Sequence, residues 1–127
     1  MSRFALAALL LFASAGPAAA QGPARIEIDL SNFKFTPSTI TLHHGQSYVL
    51  HFVNKASGGH DFVSKSFFKA ATIAAGDRAA VAKGEIELDG GETADVRLTA
   101  PAPGTYEAHC SHFMHSTFGM TGSIVVD

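Results

Sequence analysis

Short runs that alternate apolar and polar residues, separated by turn residues, most constrain what this chain can fold into. The runs are 26–30, 33–35, 39–42, 48–54, 85–88, 93–98, 105–110 and 123–127. Alternation with a period of two is typical of half-buried β-strands. Short strands at this spacing predict an all-β fold, a Greek-key β-sandwich or barrel, rather than an α/β fold.

Two connecting segments carry their own predictions. Asp89, Gly90 and Gly91 separate the runs 85–88 and 93–98, so this pair is predicted to be a hairpin. Residues 66–84 break the alternation because they are rich in alanine and poor in β-branched residues. A short helical or flap insertion is expected there, with Ser66 as a helix cap and Gly76 as a helix end.

The first twenty residues have the pattern of a secretory signal peptide. Arg3 precedes an apolar run at 4–15, and Ala18 and Ala20 fit an A-x-A cleavage site. The run is about twelve residues, whereas a membrane span needs about 20. We therefore predict a signal peptide at 1–20, a single domain at 21–127 with no membrane span, and a periplasmic or secreted location.

Charge and cysteine count exclude several classes of protein. Cleavage after Ala20 would remove Arg3 and leave eight Lys and Arg against eleven Asp and Glu. No basic run remains, so the sequence predicts no binding to nucleic acid or to an anionic membrane. Cys110 is the only cysteine, so an intrachain disulfide is impossible. A lone thiol in an exported protein is either buried and inert or occupied by a ligand.

The last quarter of the chain concentrates sulfur and imidazole side chains. Twelve residues contain His109, Cys110, His112, Met114, His115 and Met120. Such donors select soft or borderline metals, and copper fits best where a thioether joins a thiolate. Zinc is the competitor, but a structural zinc site normally closes with four Cys or His ligands, often in C-x2-C pairs. The sequence has no such pair.

Spacing selects candidate ligands from this set. Cys110 ends a predicted strand, and His115 and Met120 follow at +5 and +10, so one loop can bring them to a common centre. A third equatorial ligand must come from elsewhere. His60, which follows the Gly58–Gly59 turn, is the candidate, because such a turn can lie at the same end of a sandwich as the Cys110 loop.

The combined pattern, G-G-H60-D-F with Y-x3-C110-x4-H115-x4-M120-x-G, resembles the cupredoxins, the small blue-copper proteins. The resemblance covers nearly the whole chain after residue 20. It implies a cupredoxin-like sandwich and one type 1 copper per chain. It also implies that His60, Cys110 and His115 are equatorial ligands and Met120 a weak axial one. Whether the Gly59 carbonyl is a further weak ligand is left open.

Two features depart from the resemblance. Many cupredoxins have Asn after the first His ligand, whereas this chain has Asp61. We predict that its carboxylate accepts a hydrogen bond from Ser111, which links the two ligand loops and adds a negative charge near the metal. His109 and His112 flank Cys110, and this loop is similar to the copper loop of multicopper oxidases and nitrite reductases.

The remaining histidines, Met114 and the phenylalanines are given simpler roles. His109 is expected to point away from the metal, because strand side chains alternate. His112 is expected to be exposed near the metal, and Met114 to fill a packing gap. His43, His44 and His51 are assigned to solvated or hydrogen-bonded positions. Phe33, Phe35, Phe52 and Phe62 are assigned to the core, whereas Phe113 and Phe118 are left between packing and partner docking.

Three functions are compared. A monomeric electron carrier, meeting redox partner proteins through the loop around His115, is preferred because a His2Cys site with axial Met suits electron transfer. A copper-binding protein for resistance, storage or delivery is the alternative, supported by the extra His and Met residues. A catalytic domain is disfavoured, because a trinuclear oxidase centre needs many histidines in H-x-H motifs and this chain has none.

Overall fold

The computed structural model describes residue 16 and residues 22–127. The apolar run 4–15 and the cleavage site at Ala20 lie outside the described residues. In the part of the chain that is described, no helix is long and apolar enough to cross a membrane.

Within residues 22–127, ten strands form two five-stranded sheets that pack face to face. The first sheet has the order β2-β1-β4-β8-β6 and the second the order β3-β10-β9-β5-β7. The strands are β1 (Ala24–Ser31), β2 (Lys34–Thr36), β3 (Thr39–Leu42), β4 (Ser47–Asn54), β5 (His60–Val63), β6 (Thr72–Ile73), β7 (Glu85–Leu88), β8 (Thr93–Thr99), β9 (Gly104–His109) and β10 (Thr121–Val126). The predicted all-β sandwich is confirmed.

Alternation along the strands builds the core between the sheets. In β4 the residues Tyr48, Leu50 and Phe52 are buried while their neighbours are more exposed. The predicted core positions Phe35, Phe52 and Phe62 are buried, and their rings contact one another with centroids 5.0 and 5.1 Å apart. Because successive strand residues face opposite sides of a sheet, the alternating sequence buries one face of each sheet.

The predicted insertion at 66–84 lies beside the sandwich. It contains helix α1 (Lys65–Ala70), strand β6 and two 3-10 turns, Ala75–Asp77 and Ala79–Val81. The boundary predictions are wrong. Ser64 rather than Ser66 precedes the helix, and its hydroxyl donates to the Glu107 carbonyl at 2.7 Å instead of capping the helix. Gly76 lies inside a 3-10 turn rather than at the end of α1.

The hairpin predicted across Asp89–Gly91 is also wrong. β7 pairs with β5 in the second sheet, whereas β8 pairs with β4 in the first, so the turn crosses between sheets. Buried Asn54 holds the crossing in place. Its side-chain amide donates to the carbonyls of Leu88 and Asp89 at 3.1 and 3.2 Å. These tertiary bonds tie the end of β7 to the end of β4, and local turn residues do not reveal them.

Candidate metal centre

The fold brings three nitrogen and sulfur donors together at one end of the sandwich. His60 begins β5, Cys110 follows β9, and His115 lies in the loop between β9 and β10. The two Nδ1 atoms are 3.1 Å apart, and the Cys110 sulfur lies 3.4 Å from His115 Nδ1 and 3.9 Å from His60 Nδ1. Donors that each lie about 2.0–2.3 Å from one ion at angles of about 100–130° are separated by about 3.1–3.9 Å. The three atoms therefore fit around a single metal ion.

Met120, at the end of the loop, lies at the same end of the sandwich as the three donors. Its side chain is completely buried. The Cys110 amide donates to the Met120 carbonyl at 3.0 Å, and the Met120 amide donates to the His115 carbonyl at 3.0 Å. These bonds close the loop and hold the three residues in a fixed relation. The role of Met120 as a fourth ligand stays a prediction.

The link predicted between the two ligand loops is present. Asp61 is buried beside His60, and its Oδ1 accepts a 2.6 Å hydrogen bond from the Ser111 amide. Its Oδ2 accepts a second bond from the Ser111 hydroxyl. Because Asp61 follows one candidate ligand and Ser111 follows another, this pair fixes the separation of His60 and Cys110. Bonds to a carboxylate are stronger than neutral ones.

A hydrogen bond to Asn32 sets the tautomer of His60. The Nε2 atom lies 3.3 Å from the Asn32 side-chain oxygen, which only accepts, so Nε2 carries the proton and Nδ1 is free to coordinate. Burial, with the nearby His115 and His112, lowers the pKa of His60. At neutral pH the imidazole is therefore neutral, which is the form that binds a metal.

The Cys110 side chain is fully buried, and this burial raises the pKa of its thiol. Without a metal the sulfur keeps its proton at neutral pH. A metal ion must displace that proton in order to bind the thiolate, so binding releases acid. A buried thiol with two imidazole nitrogens beside it is therefore not simply inert packing.

His112 is half-buried against the centre rather than exposed as predicted. Its ring stacks on His115 with centroids 5.4 Å apart and planes 20° apart, and its Nε2 lies 2.9 Å from a Glu87 carboxylate oxygen. Asp61, Glu87 and His112 form a second group of possible donors. However, Asp61 already accepts two bonds from Ser111, and Glu87 pairs with His112. This group is satisfied internally.

The other histidines lie where the sequence predicted. His109 is exposed at the end of β9, outside the donor group. His43 and His51 contact Asp127 and Asp95 at 2.5 and 2.6 Å, and His44 contacts the Pro101 carbonyl at 2.8 Å.

Two residues assigned to packing instead lie on the surface. Phe33, assigned to the core, is 42% exposed, and Met114, assigned to a packing gap, is 41% exposed. Both have positive φ, 62° and 64°, an uncommon conformation for such side chains. The Phe33 ring packs edge-on against His115 with centroids 5.1 Å apart. The turn between β1 and β2 therefore places Phe33 beside the candidate centre and not in the core.

Four exposed apolar residues belong to the two segments at this end of the sandwich. Among the described residues they are all the large hydrophobic side chains that are exposed, namely Phe33, Phe113, Met114 and Phe118. The Phe33 ring, which contacts His115, also contacts Phe118 at 5.3 Å. We call this group the apolar patch. Phe113 is 89% and Phe118 is 61% exposed, so both lie on the surface, and Phe118 also packs against Phe33.

Sequence reasoning missed three supporting residues of the centre. Asn32 and Phe33 lie in the turn before β2, far in sequence from the donor motif, and Glu87 lies on β7. No local signal marks Phe33, since it alternates with Lys34 and Phe35 like a core strand residue, and the polar pair Ser31 and Asn32 indicates only a turn between the two runs. No local signal in the sequence marks Glu87, since it alternates outward like any exposed strand residue.

Comparison with known proteins identifies the family. The cupredoxin-like domain family matches residues 3–126. The chain therefore belongs to the cupredoxin-like family. No curated protein matches its sequence significantly.

Solved structures share the fold. Auracyanin from Roseiflexus castenholzii is 23% identical with a TM-score of 0.61, and the match covers 84% of this chain and 99% of that one. Auracyanin A, a "blue" copper protein from Chloroflexus aurantiacus, is 25% identical with a TM-score of 0.58, covering 84% and 100%. The blue copper oxidase of Nitrosomonas europaea is 15% identical with a TM-score of 0.63, but the match covers 84% of this chain and only 39% of the oxidase.

Proposed function

We propose that this protein is an exported type 1 copper protein that carries single electrons. The observation that carries the proposal is the convergence of the Cys110 sulfur with His60 Nδ1 and His115 Nδ1 within 3.1–3.9 Å. One thiolate and two imidazoles, with a buried thioether at Met120, form the donor set of electron-transfer copper sites. Copper bound there supplies a one-electron couple between Cu(II) and Cu(I).

The residues of the chain keep such a centre rigid. Asp61 and Ser111 tie the His60 and Cys110 segments together, and Asn32 orients His60. Three of the four proposed ligands, His60, Cys110 and Met120, are almost fully buried, which keeps water away from these three donors. A site that does not rearrange between oxidation states transfers electrons with little reorganisation, so this rigidity serves a carrier.

The apolar patch is proposed as the electron port. His115 is the one half-buried donor, and its ring contacts exposed Phe33, which in turn contacts Phe118. The patch has no charged member, and uncharged, small surfaces suit brief redox encounters. A redox partner docked on it would approach the metal through the His115 imidazole.

The comparisons support a carrier more than an oxidase. The auracyanin matches cover 99% and 100% of those chains, and auracyanin A is a "blue" copper protein, whereas the match covers only 39% of the Nitrosomonas oxidase. A trinuclear centre would require many histidines in H-x-H motifs, and the sequence has no such motif. The signal-peptide pattern at 1–20 supports export to the periplasm or beyond.

Copper titration followed by visible absorption tests the proposal. The protein should bind one Cu(II) and develop an intense thiolate-to-copper band, and Cys110→Ser should abolish the band. His109→Ala is the matched control, because His109 is exposed and outside the donor group, and it should keep the band. A coloured serine variant would refute the assignment. More than one tightly bound copper per chain would favour copper storage or delivery.

Electron self-exchange tests the port. Phe118→Glu should keep the copper spectrum, because Phe118 is 61% exposed, yet slow self-exchange at least tenfold at low salt as like charges meet. Salt should restore much of the rate. Thr105→Glu is the control, since exposed Thr105 is five residues before Cys110 on β9, at the far end of the strand. Equal slowing by both variants would remove the apolar patch as the port.

A further inference from the structure

The insertion beside the sandwich forms an open groove that has an apolar floor and a cationic rim. Its volume is about 760 Å³, within the range of sites that bind small organic molecules. Its floor contains Phe68, Ile73 and Val81, which are only 5–8% exposed. The floor is therefore recessed and apolar, and a compact ligand can reach it where a flat protein surface cannot.

The rim of this groove is cationic. Four exposed basic residues line it, Lys65, Lys69, Arg78 and Lys83, and no acidic residue does. Across residues 22–127, none of these four takes part in a salt bridge, whereas Arg25, Lys55 and Arg97 each pair with a carboxylate. The four basic residues therefore line the groove without a paired carboxylate, although Arg78 Nε donates to the Ile73 carbonyl at 3.3 Å.

Neither Asp77, the one acidic residue of this segment, nor Glu85, which directly follows the segment, neutralises the rim. Asp77 is engaged elsewhere, because its carboxylate accepts hydrogen bonds from the Arg97 amide and guanidinium at 2.9, 2.9 and 3.2 Å. Glu85 lies on β7 and does not line the groove. Although the whole chain carries a net charge of −2, this surface is locally positive and attracts anions.

We propose that the groove binds a small amphipathic anion, an apolar or aromatic body carrying a carboxylate or sulfonate. The body would cover Phe68, Ile73 and Val81, and the anionic group would pair with the rim lysines and Arg78. Apolar lining with a few charged groups at its edge is the usual composition of such a site. No residue that lines the groove belongs to the donor group of His60, Cys110 and His115, so the groove is a separate site.

A matched pair of fluorescent probes tests the charge requirement. 8-Anilinonaphthalene-1-sulfonate is anionic, and N-phenyl-1-naphthylamine has the same rings without the sulfonate. The protein should bind the sulfonate at least tenfold more tightly. Lys69→Glu with Lys83→Glu should remove that preference and leave the neutral probe within about twofold. Lys34→Glu, an exposed lysine outside the groove, should leave both affinities unchanged.

Three outcomes would overturn the proposal. Equal weakening by Lys34→Glu would show a response to net charge and not to the groove. Loss of sulfonate binding in Phe118→Glu, with no loss in the lysine variants, would place the probe on the apolar patch. Displacement of the sulfonate by inorganic phosphate at equal concentration would show a site for bare anions, which needs no apolar floor.

Discussion

Neutralising Asp61 should raise the reduction potential of the proposed copper centre without disturbing its geometry. In Asp61→Asn the side-chain oxygen can still accept a hydrogen bond from the Ser111 backbone amide, and the side-chain nitrogen can donate one to the Ser111 hydroxyl. Both hydrogen bonds between the two residues can therefore be replaced. What is lost is the negative charge. That charge favours the more positive oxidation state, so its removal favours Cu(I).

The size of the shift follows from the position of Asp61. It is adjacent in sequence to His60 and is bonded to the neighbour of Cys110, which places the charge about two Cα–Cα steps, roughly 7 Å, from the donors. At an effective dielectric constant of about 20, a unit charge at about 7 Å is worth about 2.4 kcal/mol, or about 100 mV for one electron. Solvent reduces this figure, so a rise of about 50–100 mV is expected.

Protein-film voltammetry of the copper-loaded variants measures the shift, with the absorption spectrum as a check on geometry. Asp127→Asn is the control, because Asp127 lies beyond β10, about 20 Å along the strand from the loop. It should leave the potential within a few millivolts. An unchanged or lower potential in Asp61→Asn, with an intact spectrum, would refute the electrostatic reasoning. Asp61→Leu, which removes both links, should instead destabilise the metal-free fold by about 2–4 kcal/mol in urea unfolding.

Two further predictions concern the axial position and acid stability. Met120→Leu should still bind copper but raise its potential in voltammetry, because a thioether donor stabilises Cu(II); an unchanged potential would count against axial ligation. The bonds from Arg97 lower the pKa of Asp77, so this carboxylate stabilises the fold fully above its unfolded pKa of about 3.9 and less as pH falls through the folded value. Asp77→Asn should therefore be less stable than the parent in urea at pH 7, and the difference should shrink as the pH falls below about 3.9 and vanish below the lowered folded pKa; a difference independent of pH would contradict the ion pair.

The donor group was predictable because most of it is local. Cys110, His115 and Met120 lie on one loop, and a loop of fixed length between two antiparallel neighbours returns its ends to the same place. His60 is fifty residues away, and its assignment depended on the order of motifs typical of cupredoxins. The hydrogen-bonded link between Asp61 and Ser111 was predictable because each of these residues directly follows a candidate ligand.

The sheet to which each strand belongs and the exposure of individual side chains were harder to predict from the sequence. The turn at Asp89–Gly91 has the composition of a hairpin, yet strand β5, buried at all four residues, takes β7 as its neighbour. Phe33 alternates correctly for a core residue, but its positive φ turns the ring out of the strand pattern and towards His115. In both cases a tertiary contact outweighs the local preference that the sequence displays.

The cationic groove shows why charge patterns read along a chain miss surfaces that folding creates. The sequence contains no basic run made of Lys65, Lys69, Arg78 and Lys83. These residues line one groove only because the chain reverses direction between α1 and the 3-10 turns. The protein thus presents two different surfaces, the uncharged apolar patch beside His115 and this groove. Ionic strength distinguishes them physically. Salt screens the groove from its anion but leaves contacts on an uncharged patch nearly unchanged, so the proposed electron port and anion site can respond independently to the same solution.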